Sequence, residues 1–142
     1  MKSYKKLAHI AIYTTDLERS IAFYETLGGS CTMRGEVQKP TGVNQLAMIS
    51  LMDFQIELIQ PGDGTAVTQA GGLIPHFAIE VEDLPLVVNT MRAIGIGEFC
   101  TEQPNVMPEL FGGLQNIFFR GPSGEMIELV EHFGASEKQP RL

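Results

Sequence analysis

The sequence predicts an α+β fold built from two tandem βαβββ modules, and three observations predict it. The run His9-Ile10-Ala11-Ile12-Tyr13-Thr14-Thr15-Asp16-Leu17 returns as His76-Phe77-Ala78-Ile79-Glu80-Val81-Glu82-Asp83-Leu84. Histidine, alanine, isoleucine, aspartate and leucine recur at a constant offset of 67, from His9 to His76 and from Asp16 to Asp83. Phe54-Gln55-Ile56-Glu57-Leu58-Ile59 returns as Glu125-Met126-Ile127-Glu128-Leu129-Val130, sharing Ile-Glu-Leu at an offset of 71. Between these anchors the apolar period passes from two to 3.6 and back in both halves. The expected organisation is a single domain over 1–142, with module one at about 5–61, a linker at about 62–73 and module two at about 74–133.

Residues 7–14 alternate and read as a strand, with Ile10 and Ile12 on one face and His9, Ala11 and Tyr13 on the other. Thr15-Asp16-Leu17-Glu18 reads as a capping box opening a helix over 16–27. Ile21, Phe23, Tyr24 and Leu27 form its apolar stripe, and Gly28-Gly29 ends it. Strands are expected near 30–36, 45–51 and 54–60, with turns at 39–42 and 52–53. In the second half a strand over 74–81 leads to Asp83 as N-cap of a helix over 84–94, with Pro85 tolerated in its first turn. A strand near 97–101, an irregular stretch over 102–113 and strands over 114–120 and 125–131 complete the plan. Gly121-Pro122-Ser123-Gly124 suits a type I turn. The polar tail, 134–142, is expected to fray.

With 44% hydrophobic and 19% charged residues, the composition is that of a folded globular chain rather than a disordered one. A net charge of −7 with scattered basic residues argues against nucleic acid and anionic membrane as partners. No apolar run approaches the roughly 20 residues of a membrane span. The first residues lack the apolar core of a signal peptide, so a cytoplasmic location is expected. Cys31 and Cys100, each followed by threonine, have neither a CxxC partner nor a neighbouring histidine and read as free structural thiols.

Four residues could carry chemistry. His9 and His76 open the first strand of each half, and Glu57 and Glu128 sit inside the last. A carboxylate in an apolar strand is costly unless it has a partner. The neighbours Ile56/Leu58 and Ile127/Leu129 point away from the glutamates, so one face collects imidazoles and carboxylates. Two neutral imidazoles and two carboxylates neutralise a divalent cation and leave positions open for water or two substrate oxygens. In the alternative, the glutamates are held by backbone or tyrosine partners and both histidines are neutral in the core.

These motifs, with Arg19-Ser20-Ile21-Ala22-Phe23-Tyr24 after the first and Gly121-Pro122-Ser123-Gly124 before the last, resemble the vicinal oxygen chelate superfamily. Within it they are most similar to glyoxalase I (lactoylglutathione lyase)-like proteins, and the likeness runs to about residue 132. The resemblance implies a cupped, mostly antiparallel sheet around one divalent metal ion (nickel, zinc, cobalt or manganese) held by His9, Glu57, His76 and Glu128. Ring-cleaving dioxygenases and fosfomycin-resistance members use a triad lacking the position of Glu57, so Glu57 favours proton-transfer chemistry. The implied reaction is abstraction of a proton beside a carbonyl through an enediolate, with Glu128 the favoured base and Glu57 able to share the role. The implied substrate is the hemithioacetal of a 2-oxoaldehyde with glutathione or another thiol as cosubstrate.

Arg34 stands where a residue binding the tripeptide carboxylates is expected, with Arg120 or Asn116 as helpers. Met107, Phe111, Leu114 and Phe118 are candidates for an apolar lining. A methylmalonyl-CoA epimerase-like racemase is the second reading, suggested by Leu58-Ile59-Gln60-Pro61. It is weakened by Gln45, which cannot act as a base where that family places a catalytic glutamate. A third is a small-molecule-sequestering protein of the same fold. Family habit leads us to expect a homodimer.

Overall fold

The computed structural model describes residues 8–63 and 76–133. The chain divides into two compact units, Met1–Gln69 and Ala70–Leu142. In the first, β1 (Ile10–Tyr13), α1 (Leu17–Thr26), β2 (Ser30–Lys39), β3 (Gly42–Leu51) and β4 (Phe54–Gln60) form a sheet of order β1-β4-β3-β2. In the second, β5 (Phe77–Glu80), α2 (Leu84–Ala93), β6 (Asn105–Met107), a 3₁₀ turn (Leu110–Gly112), β7 (Leu114–Arg120) and β8 (Met126–His132) form a sheet of order β5-β8-β7-β6. β1 runs parallel to β4, and β5 to β8, while the other pairings are antiparallel. Both sheets are open, and the expected tandem βαβββ plan is present. Among the described residues no helix is long and apolar enough to cross a membrane.

In the first unit α1 packs on β2, β3 and β4. Its Leu17, Ile21 and Tyr24 are buried with Ala47, Ile49, Leu51, Ile56 and Leu58 of the sheet. In the second, Leu84, Val88 and Met91 of α2 are buried, as are Ile117, Phe119, Ile127 and Leu129. Because strand side chains alternate, this burial turns Glu57 and Glu128 to the face away from the helix.

Two local expectations fail for identifiable reasons. The capping box does not form: the N-cap is Asp16, whose Oδ1 accepts from the Arg19 N–H at 3.1 Å. Glu18 turns instead to Arg34, which offers two charge-assisted donors at 2.6 and 2.9 Å. Thr14 takes the inner place, its hydroxyl 2.8 Å from that of Ser20. The strand expected near 97–101 is reduced to a single bridge, Phe99 to Phe119, flanked by Cys100 N–H to the Phe118 carbonyl and Arg120 N–H to the Glu98 carbonyl. Pairing along β7 resumes only at β6, because Pro104 carries no donor and a bend at 101–103 intervenes. In the first unit β2 runs unbroken apart from a bulge between Cys31 and Met33.

The expected ends of α1 and of the last hairpin do form. Gly28, at φ +97°, adopts the left-handed conformation that stops the helix, and the Gly29 N–H donates to the Tyr24 carbonyl at 2.9 Å. The Gly124 N–H donates to the Gly121 carbonyl at 3.0 Å. Both cysteines are free thiols. Cys31 shares the register of Ile49 on the helix side, whereas the Cys100 sulfur lies 3.6 Å from that of Met126. The starting residues, most of the linker and the tail lie outside the described residues.

The last strand of each unit also caps its helix. Gln60 Oε1 accepts from the Leu17 N–H at 2.7 Å. Glu131, at the same repeat offset of 71, accepts from Leu84 at 2.9 Å and Asp83 at 3.1 Å. The Leu84 N–H above all, with the Gln115 amide and the Asp83 N–H, holds the Glu131 carboxyl below the usual carboxylate range, against the opposing effect of burial. A depressed folded-state pKa contributes stability above the unfolded value of about 4.3, and this is lost as pH falls through the folded value. Glu131→Ala is therefore expected to cost about 1 kcal/mol at neutral pH in urea unfolding, as loss of a helix cap does. Glu131→Gln, which copies Gln60, should cost less and flatten the acid limb. Wild-type midpoints for both variants at pH 7 and pH 3.5 would refute the capping role.

Candidate functional site

The parallel pairing of first and last strands sets Ala11 beside Glu57 and Ala78 beside Glu128. Each histidine stands two residues before its alanine, on the same face as the glutamate. In the first unit His9 Nε2 lies 3.6 Å from Glu57 Oε1, and in the second His76 Nε2 lies 3.1 Å from Glu128 Oε1. The glutamates are the more enclosed partners, with side chains 23% and 14% exposed. Small alanines opposite the carboxylates leave room for the imidazoles to reach them.

The two pairs differ in their surroundings. Glu128 Oε2 accepts from Asn116 Nδ2 at 2.9 Å, and Asn116 Oδ1 accepts from Asn105 Nδ2 at 3.2 Å. Phe118, opposite Glu128 in register, meets the His76 ring edge to face at 5.2 Å. Glu57 faces an apolar surface instead. With Met33, Leu46 and Met48 it borders a concavity of about 190 Å³ that Arg34 also touches.

Within neither unit does a third His, Cys, Asp or Glu side chain join the pair among the described residues. Each unit thus offers one imidazole nitrogen and one carboxylate oxygen turned toward each other. Neutral imidazole with carboxylate is a donor set suited to a divalent transition ion, so the residues present fit such a cation.

The remaining sequence-derived candidates have other positions. Arg34 pairs in register with Ala47, on the helix side, and its guanidinium is engaged by Glu18. That ion pair raises the Arg34 pKa above its ordinary value and holds the Glu18 carboxyl below the usual range. Arg120 Nη1 donates to the Gly124 carbonyl at 3.0 Å. Met107 and Leu114 pair in register, and Leu114 is buried. Phe111, at φ +48° in the 3₁₀ turn, is 69% exposed. Gln45 shares the helix-side face with Ala47 and lies 3.4 Å from Glu36, away from Glu57.

The sequence suggests Asn116 as an anion-binding helper, and in the structure its amide donates to Glu128. The signal was present in the repeat: Leu46, opposite Ile59, occupies the position that Asn116, opposite Val130, occupies in the second unit. A buried amide in place of a leucine implies a partner.

The Glyoxalase/Bleomycin resistance protein/Dioxygenase superfamily matches residues 8–109. A probable lactoylglutathione lyase from Vibrio cholerae is 29% identical over 132 residues, covering 89% of this chain and 91% of its own. Among solved structures, a glyoxalase family protein from Enterococcus faecalis is similar at 26% identity and TM-score 0.70, covering 90% of this chain and 98% of its own. The trypanothione-dependent glyoxalase I of Leishmania major is similar at 26% identity and TM-score 0.67, covering 95% and 92%. The fosfomycin resistance protein FosX of Listeria monocytogenes shares the fold at TM-score 0.64, with 18% identity over 89% of this chain and 92% of its own. With paired strands, repeated His–Glu pairs and a match over more than half its length, the chain belongs to the glyoxalase/bleomycin resistance protein/dioxygenase superfamily.

Proposed function

We propose that this chain is a metal-dependent lyase of the glyoxalase I type, isomerising the hemithioacetal of a 2-oxoaldehyde and a thiol. The observation that carries the reading is the His–Glu pair repeated at equivalent positions of both units, at 3.6 and 3.1 Å. His9, Glu57, His76 and Glu128 would hold one divalent cation (nickel, zinc, cobalt or manganese). Bound there, it would supply Lewis-acid polarisation of adjacent substrate oxygens.

The chain's own part is the movement of a proton. A carboxylate beside the polarised carbonyl takes the proton from one carbon and returns it to its neighbour, and Glu128 and Glu57 are the two groups available for this. Phe118 packs edge to face against His76, and the apolar surface of Met33, Leu46 and Met48 beside Glu57 suits the side chain of a small aldehyde. Likeness to the Vibrio and Leishmania proteins supports glutathione or a related thiol as cosubstrate. Arg34 would bind its carboxylate only by exchanging Glu18 for it. The reading includes a cytoplasmic enzyme assembled as a homodimer.

Protein purified without added metal and then reconstituted is expected to hold one divalent ion per chain by elemental analysis, and His76→Ala far less. Equal, near-zero content in both after nickel, zinc, cobalt and manganese would end the chelate reading. In deuterium oxide the metal-loaded protein should exchange the substrate proton of the methylglyoxal–glutathione or –bacillithiol hemithioacetal. Glu128→Gln and Glu57→Gln are expected to lower that rate by about 10²-fold or more, the range of a lost general base. Exchange with methylmalonyl-CoA instead would favour an epimerase. Oxygen uptake with a catechol would refute proton transfer, and ligand-induced thermal stabilisation without turnover would favour a sequestering protein. Light scattering should give a dimer mass; a concentration-independent monomer would contradict the assembly.

A further inference from the structure

Among the described residues, the second unit carries an amide chain that the first lacks. A carboxylate can only accept, so Asn116 must turn its NH₂ to Glu128 Oε2 and its carbonyl to Asn105, whose own NH₂ completes the chain. Three groups thereby have one consistent orientation. Asn116 is 5% exposed and strand-borne, so its amide cannot swing to water when Glu128 is disturbed. His76 approaches the other oxygen, Oε1. Glu128 is thus held from two sides. Glu57, with Leu46 at the matching position, meets only His9 among the described polar groups.

We propose that Asn116, steadied by Asn105, is a positioning residue that presets the Glu128 carboxylate for cation binding. The inference rests on the four-donor reading above. Groups that orient a ligand without touching the metal typically govern affinity by about tenfold to a hundredfold. A structural role alone would alter stability and leave the ligand field unchanged.

The test is cobalt(II) binding to the full chain, followed by visible absorption, in wild type, Asn116→Leu and Asn105→Ala. Asn116→Leu installs the residue that the first unit uses. It should weaken cobalt binding about tenfold to a hundredfold and change the absorption bands. Asn105→Ala, at an exposed position where folding is safe, should act in the same direction by a smaller factor. Folded variants that bind cobalt within about twofold of wild type with unchanged spectra would overturn the positioning role. If Asn116→Leu does not fold, the Asn105→Ala result decides alone by the same criterion. Wild type that binds no cobalt, nickel, zinc or manganese would instead remove the four-donor reading, and this inference with it.

Discussion

The interaction on which the rest depends is the parallel pairing of the first strand of each unit with its last. Parallel neighbours cannot be joined by a tight turn, so each first strand runs into a helix that crosses to the far edge of its sheet, and the strands that follow bring the last one back beside the first. That helix determines which face is apolar. The same pairing fixes the register in which Ala11 meets Glu57 and Ala78 meets Glu128, and so which histidine reaches which carboxylate. A slip of one residue would turn each glutamate into the helix-side core. Site and fold are therefore specified by one set of hydrogen bonds.

The two units keep this frame and differ in what surrounds it. On the carboxylate side the first offers methionine and leucine, the second an amide and an aromatic ring. The shared frame explains how two carboxylates occupy the same place in the backbone. The different neighbours explain why they need not behave alike.

Much of this was legible in the sequence because it rests on periodicity and repetition. His9, His76, Glu57 and Glu128 stand at repeat-related positions, and alternation fixed their common face. The elements of the first unit followed from local signals such as Gly28-Gly29 and the turn before β3. What could not be read were choices between competing partners. Glu18 had to select between its own backbone and a guanidinium on a neighbouring strand, and no local pattern records the second option. Arg34 was legible as a cation but not as one already engaged. The interrupted edge at 97–107 depends on where β7 allows pairing to resume, a nonlocal matter.

The caps at Leu17 and Leu84 bear on how the chain acquires its structure. Their acceptors, Gln60 and Glu131, lie 43 and 47 residues further along. Each helix has only 10 residues, below the length at which an isolated helix persists in water. Neither has its first turn fully satisfied until the final strand of its unit has docked. Helix formation and sheet closure are thus one event, with a high loop-closure cost met before any reward. Each unit should accordingly fold slowly and all-or-none, with no helical intermediate preceding the sheet.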